Sequence, residues 1–203
     1  MSKQSLREKA NRASVFRSRT FVCVVENPKL IQNLMGIVRT AEALGVGKVY
    51  VIDNGRLKLP KDWQKMRDDP HLKNVSASGI KWIFVKIFSS TSECLQHLAK
   101  KNFTNIGTSP HQLGKKNVPL FEGKYTQHHL AVWFGNEARG LSEEALEACD
   151  FCIQIPMYGI IESMNLSSSA SVVLNHIVEK RQEYSRGKLS KKTTNKQIKP
   201  TPK

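Results

Sequence analysis

IPMYGIIESMNLSSSASVV, residues 155–173, is the stretch on which the reading of this chain turns. It leaves an apolar strand at residues 151–155, crosses a short loop at 156–165, and enters a helix opening with Ser167, Ser168 and Ser169. A helix start leaves backbone N–H groups free at the positive end of the helix dipole. Hydroxyls there serve either as caps or as part of a ligand site. Taken alone, the stretch is most simply a capped connection. Two others change the balance. FGNEARGLSEE, residues 134–144, also follows an apolar strand, and NLMGIVRTAEALG, residues 33–45, is a helix holding an arginine beside small residues.

The segments around these three alternate between strand and helix. Residues 21–25, FVCVV, form a continuous apolar run of strand length, as expected where both faces of a sheet are covered. Glu26-Asn27-Pro28 ends it. Residues 31–44 read as a helix, with Ile31, Leu34, Val38 and Ala41 facing the sheet and Gly45 closing it. Asn33, Gly36 and Arg39 follow one another on another flank. Helical side chains lean toward the N-terminus, so Arg39 leans over Gly36 toward Asn33. A surface ion pair with Glu42 is the plainer alternative for Arg39. Residues 48–52 are the next strand, which makes a βαβ unit with parallel pairing.

Residues 54–80 read as a loop and a short helix, with 76–79 as a flexible exit. A third strand at 82–88 leads to a helix at 90–101, capped by Ser90 or Thr91. A fourth strand at 103–107 ends in Thr108 and Ser109. An irregular basic loop at 111–125, with Gly114, Lys115 and Lys116, precedes a fifth strand at 128–134. Ser142 caps a helix at 143–149, the sixth strand is 151–155, and the last helix runs from about 167 to 184. The expected class is α/β: one domain with a mostly parallel six-stranded sheet and helices on both faces. The expected division is a basic N-terminal arm or helix at 1–20, the domain at 21–177, and a basic helix end with a disordered tail at 178–203.

The 203 residues suffice for one domain with a real core, and at 39% apolar with only 7% aromatic that core is aliphatic. No run approaches the roughly 20 apolar residues that span a bilayer, and no apolar segment follows the first charges as a secretory signal requires. Cys149 and Cys152 form a C-x-x-C, but no second Cys or His pair stands at zinc spacing. With Cys23 and Cys94 they read as buried free thiols in a reducing cytoplasm, with no metal. Net charge is +15, and its placement carries information. Residues 1–20 hold six Lys/Arg and one Glu, and residues 178–203 hold nine Lys/Arg and two Glu, which leaves +3 for everything between. Two basic ends on a nearly neutral body point to a polyanionic partner, nucleic acid before membrane.

Three strand ends, at Thr108-Ser109, 135–140 and 156–165, lead into loops of small residues, where backbone can approach a nucleotide-like ligand closely. Neither G-x-G-x-x-G after the first strand nor G-x-x-x-x-G-K-[ST] occurs, so the dinucleotide fingerprint and the P-loop are missing. No Ser-His-Asp or metal-ligand pattern stands out, and the six histidines are scattered.

Together the three stretches, in this order and with apolar strands before the second and third, resemble the signature motifs of the SpoU branch of the SPOUT RNA methyltransferases. The likeness is to its TrmH-type tRNA guanosine 2′-O-methyltransferases, and it runs from about residue 21 to 179. It implies S-adenosylmethionine as cofactor, a C-terminal trefoil knot made by residues 103 to about 179, and a homodimer. By the resemblance, Thr108, Ser109, Gly135, Asn136, Gly140, Ile155, Met157 and Leu166 line the cofactor pocket, where adenine is recognised largely by main chain. The catalytic positions map onto Asn33, Arg39, Glu137, Ser163 and Asn165. Arg39 either acts as base with help from substrate phosphate or stabilises the nascent alkoxide. Asn33, Ser163 and Asn165 orient it and the ribose, and Glu137 orders the cofactor loop. Met164 stands where the family's third motif commonly has leucine, a like-for-like apolar exchange. The implied substrate is guanosine 18 in the tRNA D-loop. Ribosomal RNA is the alternative, but relatives that act on it often carry a separate N-terminal RNA-binding domain, and only 20 residues precede the first strand here. A non-catalytic RNA-binding protein and a generic Rossmann-type enzyme are the remaining readings. The intact motif residues count against the first, and the missing glycine fingerprint against the second.

Overall fold

The computed structural model describes residues 3–109 and 117–197. Helix α1 (Lys3–Phe16) leads into β1 (Ser18–Glu26), α2 (Ile31–Ala43) and β2 (Val46–Ile52). Two short helices, α3 (Trp63–Asp68) and α4 (Pro70–Val75), and a 3-10 turn (Gly79–Lys81) precede β3 (Phe84–Phe88) and α5 (Thr91–Ala99). Then come β4 (Thr104–Thr108), β5 (Asn117–Pro119), β6 (Leu130–Phe134), α6 (Glu143–Glu147), β7 (Phe151–Gln154) and α7 (Leu166–Gln197).

The strands form one sheet in the order β3-β2-β1-β6-β4-β7-β5, and every pairing is parallel. The unbroken apolar run in β1 is explained by its central place. Phe21, Cys23 and Val25 point into the core under α2 and α7, while Val22 and Val24 point into a second core under α5 and α6. In β6, Leu130, Val132 and Phe134 likewise alternate with Ala131 and Trp133. Period-two alternation thus separates two buried faces, each closed by its own helices.

The structure changes the expectation in several places: β1 begins at Ser18, inside the expected arm, and residues 54–80 hold two short helices and a 3-10 turn rather than one short helix. The sheet has seven strands rather than six, because β5 adds to the edge beside β7. It is only three residues long and ends in proline, so neither length nor pattern marks it within residues 111–125; Gly114, Lys115 and Lys116 of that stretch lie outside the described residues. Ser76 is buried rather than part of a flexible exit, and its hydroxyl donates to the Leu72 carbonyl at 2.7 Å. The space above Gly36 is filled: a side chain there would meet Ser167, so α2 and α7 approach closely at that point. Finally α7 continues past Tyr184 to Gln197, and of the expected tail residues 198–203 lie outside the described residues.

The predicted caps have their partners. Ser90 accepts from the Glu93 amide and Ser142 from the Ala145 amide, while Gly45 leaves α2 with φ +72°.

Candidate active site

The carboxyl ends of β4, β6 and β7 surround a cavity of about 660 Å³. Thr108 and Ser109 line it from β4, Gly135, Asn136, Glu137 and Gly140 from the segment after β6, and Ile155, Met157, Ser163, Asn165 and Leu166 from the segment after β7. Asn33 reaches it from α2. Ile153 and Leu141 add apolar wall. Thr108 is held by its own hydroxyl, which donates to the Trp133 carbonyl at 2.8 Å, and Ser109 is buried.

The loop after β6 is tied shut at its base. Asn136 and Gly140 exchange backbone hydrogen bonds of 2.9 Å in both directions. Gly140 sits at φ +70°, and a side chain on Gly135 would fall 2.1 Å from the Gly140 carbonyl carbon. Glycine is favoured at residue 140 by the positive φ and required at residue 135 by contact. At these two glycines the wall offers main chain alone.

Three motifs far apart in sequence meet in one hydrogen-bonded chain. The Glu137 carboxylate accepts the Asn33 side-chain amide at 2.8 Å and the backbone amides of Lys29 and Leu30 at 2.8 and 3.3 Å. The Asn33 carbonyl in turn accepts the Asn165 side-chain amide at 3.0 Å. Asn165 Oδ1 accepts the Ser167 and Ser168 amides and the Ser167 hydroxyl, so Asn165 caps α7. The three serines are therefore not themselves the cap. Burial pushes the Glu137 carboxyl up, but the hydrogen bonds from Asn33, Lys29, its own amide and Leu30 together outweigh it. They hold the group below the usual glutamate range. Asn136 fastens the same loop to β1's exit through the Asn27 carbonyl at 2.6 Å.

Arg39 is the one expected residue that stands apart. It is exposed on α2 and does not line the cavity of its own chain. The alternative partner Glu42 is taken by Arg17 at 3.1 Å. The backbone at Arg39 packs against Gly79, which sets the helix rather than the side chain.

Sequence reasoning missed Glu26. It was read as the end of a strand, yet it is a buried carboxylate. It accepts the Ser142 amide at 2.8 Å, the Ser142 hydroxyl at 2.7 Å and the Thr91 hydroxyl. Glu26 thereby anchors the far side of the residue 135–142 loop to β1. The available signal was an acid closing an otherwise apolar run, beside a serine-capped helix. Arg139 and Glu162 also line the cavity and were not singled out. All four cysteines are free and buried, and burial pushes the thiols of Cys23 and Cys94 up. Among the described residues no group of three or more His, Cys, Asp or Glu side chains could hold a metal ion, and no helix is long and apolar enough to cross a membrane.

The chain is similar to known proteins. The model of the SpoU rRNA Methylase family matches residues 20–175. A tRNA (guanosine(18)-2′-O)-methyltransferase of Aquifex aeolicus is 28% identical over 186 residues, 90% of this chain and 82% of that protein. An enzyme of the same description from Thermus thermophilus is 31% identical over 152 residues, 74% of this chain and 70% of its own. In structure, the A. aeolicus TrmH/SpoU tRNA modifying enzyme superposes with a TM-score of 0.73 at 23% identity, covering 97% of this chain and 100% of that one. The SpoU methyltransferase AviRb from Streptomyces viridochromogenes, solved in complex with AdoMet, gives 0.65 at 23% identity over 81% and 59%. The structural likenesses carry the fold, and the sequence match spans most of the strands and all three motifs. This chain belongs to the SpoU rRNA methylase family.

Proposed function

We propose that the protein methylates the 2′-hydroxyl of guanosine 18 in the tRNA D-loop, with S-adenosylmethionine as methyl donor. One observation carries the reading: the Glu137–Asn33–Asn165 chain joins three motifs along the wall of a cavity of about 660 Å³. The relatives' descriptions as tRNA (guanosine(18)-2′-O)-methyltransferases support the substrate.

The residues present fit the cofactor. Main chain at Gly135 and Gly140 suits edge-on hydrogen bonding to a purine, and Ile155 and Leu166 offer apolar contact. Thr108, Ser109, Gly135, Asn136, Gly140, Ile155, Met157 and Leu166 would hold it. When bound, S-adenosylmethionine supplies an activated methyl group. Glu137 keeps its loop closed, Asn33 and Asn165 orient the ribose, and Ser163 adds a hydroxyl at the rim. Arg39 stabilises charge developing on the 2′-oxygen and the adjoining phosphate, while the hydroxyl proton leaves to solvent.

Arg39 serves a second subunit in this reading. Its exposure outside its own cavity supports that, and so does the apolar loop beside the cavity, where Tyr158, Ile160 and Ile161 are 95%, 101% and 73% exposed. A homodimer would cover these side chains. The C-terminal segment forms a trefoil knot, a reading supported by β7 lying between β4 and β5, which both precede it in sequence. Four buried free thiols accord with a cytoplasmic protein.

The test is methyl transfer from labelled cofactor to unmodified tRNA, with ribosomal RNA fragments for comparison. Label on ribose of guanosine 18 is expected. Label on a base, or on ribosomal RNA alone, overturns the reading.

A further inference from the structure

The near-neutral body between the two basic ends hides a local concentration of positive charge. Lys48 and Tyr50 are two apart on β2 and share a face of the sheet; the register pairs Lys48 with Phe84 and Tyr50 with Lys86 on β3. All four therefore stand on the face covered by α5. The last turn of α5 brings His97 there, followed at once by Lys100 and Lys101. Lys86 Nζ lies 3.2 Å from His97 Nδ1, and His97 Nε2 lies 3.3 Å from the Tyr50 hydroxyl. A lysine ammonium can only donate, so His97 Nδ1 faces Lys86 as the acceptor, with Nε2 toward the Tyr50 hydroxyl.

Among the described residues no carboxylate forms an ion pair with this group. The ion pairs among the described residues are Arg17–Glu42, Lys73–Asp68 and Lys180–Glu183, none of them here. Glu93, on the same helix, is turned to the Ser89 amide at its other end. The charges act on one another. Burial, then Lys101 and Lys86, hold the Lys48 ammonium below its ordinary range, and burial, then Lys86, Lys101, Lys48 and Lys100, do the same to His97. Four cations kept together without counter-charge are destabilising unless an anion joins them.

An aromatic ring completes the patch. The register places Phe84 on the same face as Lys48 and Lys86; it is 40% exposed, with its ring centroid 5.5 Å from that of Trp63. Ammonium groups around an exposed ring fit a phosphate backbone with a stacked base better than they fit an acidic peptide.

We infer that Lys48, Lys86, Lys100 and Lys101, with Phe84, form a second RNA-binding surface that grips phosphates of the substrate away from the nucleotide being modified. The inference rests on the proposed RNA substrate. The patch lies on the β2–β3 edge, separated by β1 from the strands β6, β4 and β7 whose ends frame the cavity. It therefore contributes affinity and registration rather than chemistry.

The experiment measures equilibrium binding of tRNA to the full chain over a range of salt, without turnover, for the unsubstituted protein and for Lys48→Gln/Lys100→Gln/Lys101→Gln. Lys86 is left in place because it holds His97. Expected is a roughly tenfold loss of affinity near physiological salt and a log–log salt slope shallower by about 0.9 for each lysine that meets a phosphate. S-adenosylmethionine affinity and kcat at saturating tRNA stay unchanged while KM rises. Phe84→Ala lowers affinity several-fold with the slope intact. Unchanged tRNA affinity and slope in the triple variant overturn the inference. So does poly-glutamate peptide binding that the triple variant loses while tRNA binding survives, which assigns the patch to an acidic protein. Because binding is read without methylation, failure of the unsubstituted chain to methylate tRNA falls on the proposed reaction and not on the patch.

Discussion

Asn33 donates to Glu137 and accepts from Asn165, so one side chain transmits order between two loops and a helix end. Glu137 can be tested by titration. Its folded pKa lies below the ordinary glutamate value, so its ionised form contributes stability above that value, and the contribution is lost as pH falls through the lowered folded pKa. Glu137→Gln replaces one acceptor oxygen by a donor facing amides that also donate. It should cost about 1 kcal/mol by denaturant unfolding at neutral pH, and the difference from the unsubstituted protein should shrink on acidification. A difference that grows toward acid would contradict this. Arg39 makes a different prediction, because it is exposed and holds no part of the core. Arg39→Ala should leave Tm and cofactor affinity unchanged and lower kcat by on the order of 100-fold or more. Arg39→Lys should not restore it fully, since a point charge cannot replace a planar fork. Calorimetry beside steady-state kinetics separates the two effects.

Helix α7 does three jobs along 32 residues. Its first turn is capped by Asn165 and seats Ser167 against Gly36, so the site and the α2–α7 packing share one helical turn. Thr40 and Ser171 hydroxyls, 3.1 Å apart, continue that contact. Further on, the Arg181 guanidinium donates to the carbonyls of Tyr125, Gln127 and His128 and lies over the Phe21 ring. Arg181 therefore braces the entry to β6, although it falls within the stretch expected as a basic end. The two roles can be cut apart. Ending the chain after Gly187 removes six lysines but spares Arg181. It should weaken tRNA binding and flatten its salt dependence while leaving Tm unchanged. Ending it after residue 177 should also cost on the order of 3 kcal/mol of stability, because three carbonyls lose a charged donor. Equal Tm for the two truncations would show that Arg181 braces nothing.

At the scale of the whole molecule, the proposed reading has Arg39 act in a partner's cavity, because it stands outside its own. Mixing two inactive proteins, Arg39→Ala and Asn165→Ala, tests this. If sites are shared, mixed dimers hold one intact site of two and make up half of an equally mixed, fully exchanged sample, so activity should return toward about a quarter of the unsubstituted level. Exchange confirmed by mass with no recovered activity would mean that Arg39 serves its own chain or that the chain acts alone.

The sequence by itself determined the α/β class, the parallel pairing and the motif order, because these rest on local information. Residues 21–25 could only be a strand covered on both faces, Gly45 and Ser142 could only punctuate helices, and the loops around Gly135 and Asn165 followed strand ends. What only the tertiary structure decided involves partners distant in the chain. β5 is a strand because β7 lies beside it, not because three residues prefer to be one. Gly36 is small because Ser167, 131 positions later, fills the space above it. Glu26 is an anchor because Thr91 and Ser142 converge on it. Lys48, Lys86, Lys100 and Lys101 are unremarkable along the chain and become one patch through the β2–β3 register and the seat of α5. Hydrogen bonds and charges act over a few ångströms of space, and periodicity reports only a few residues of sequence.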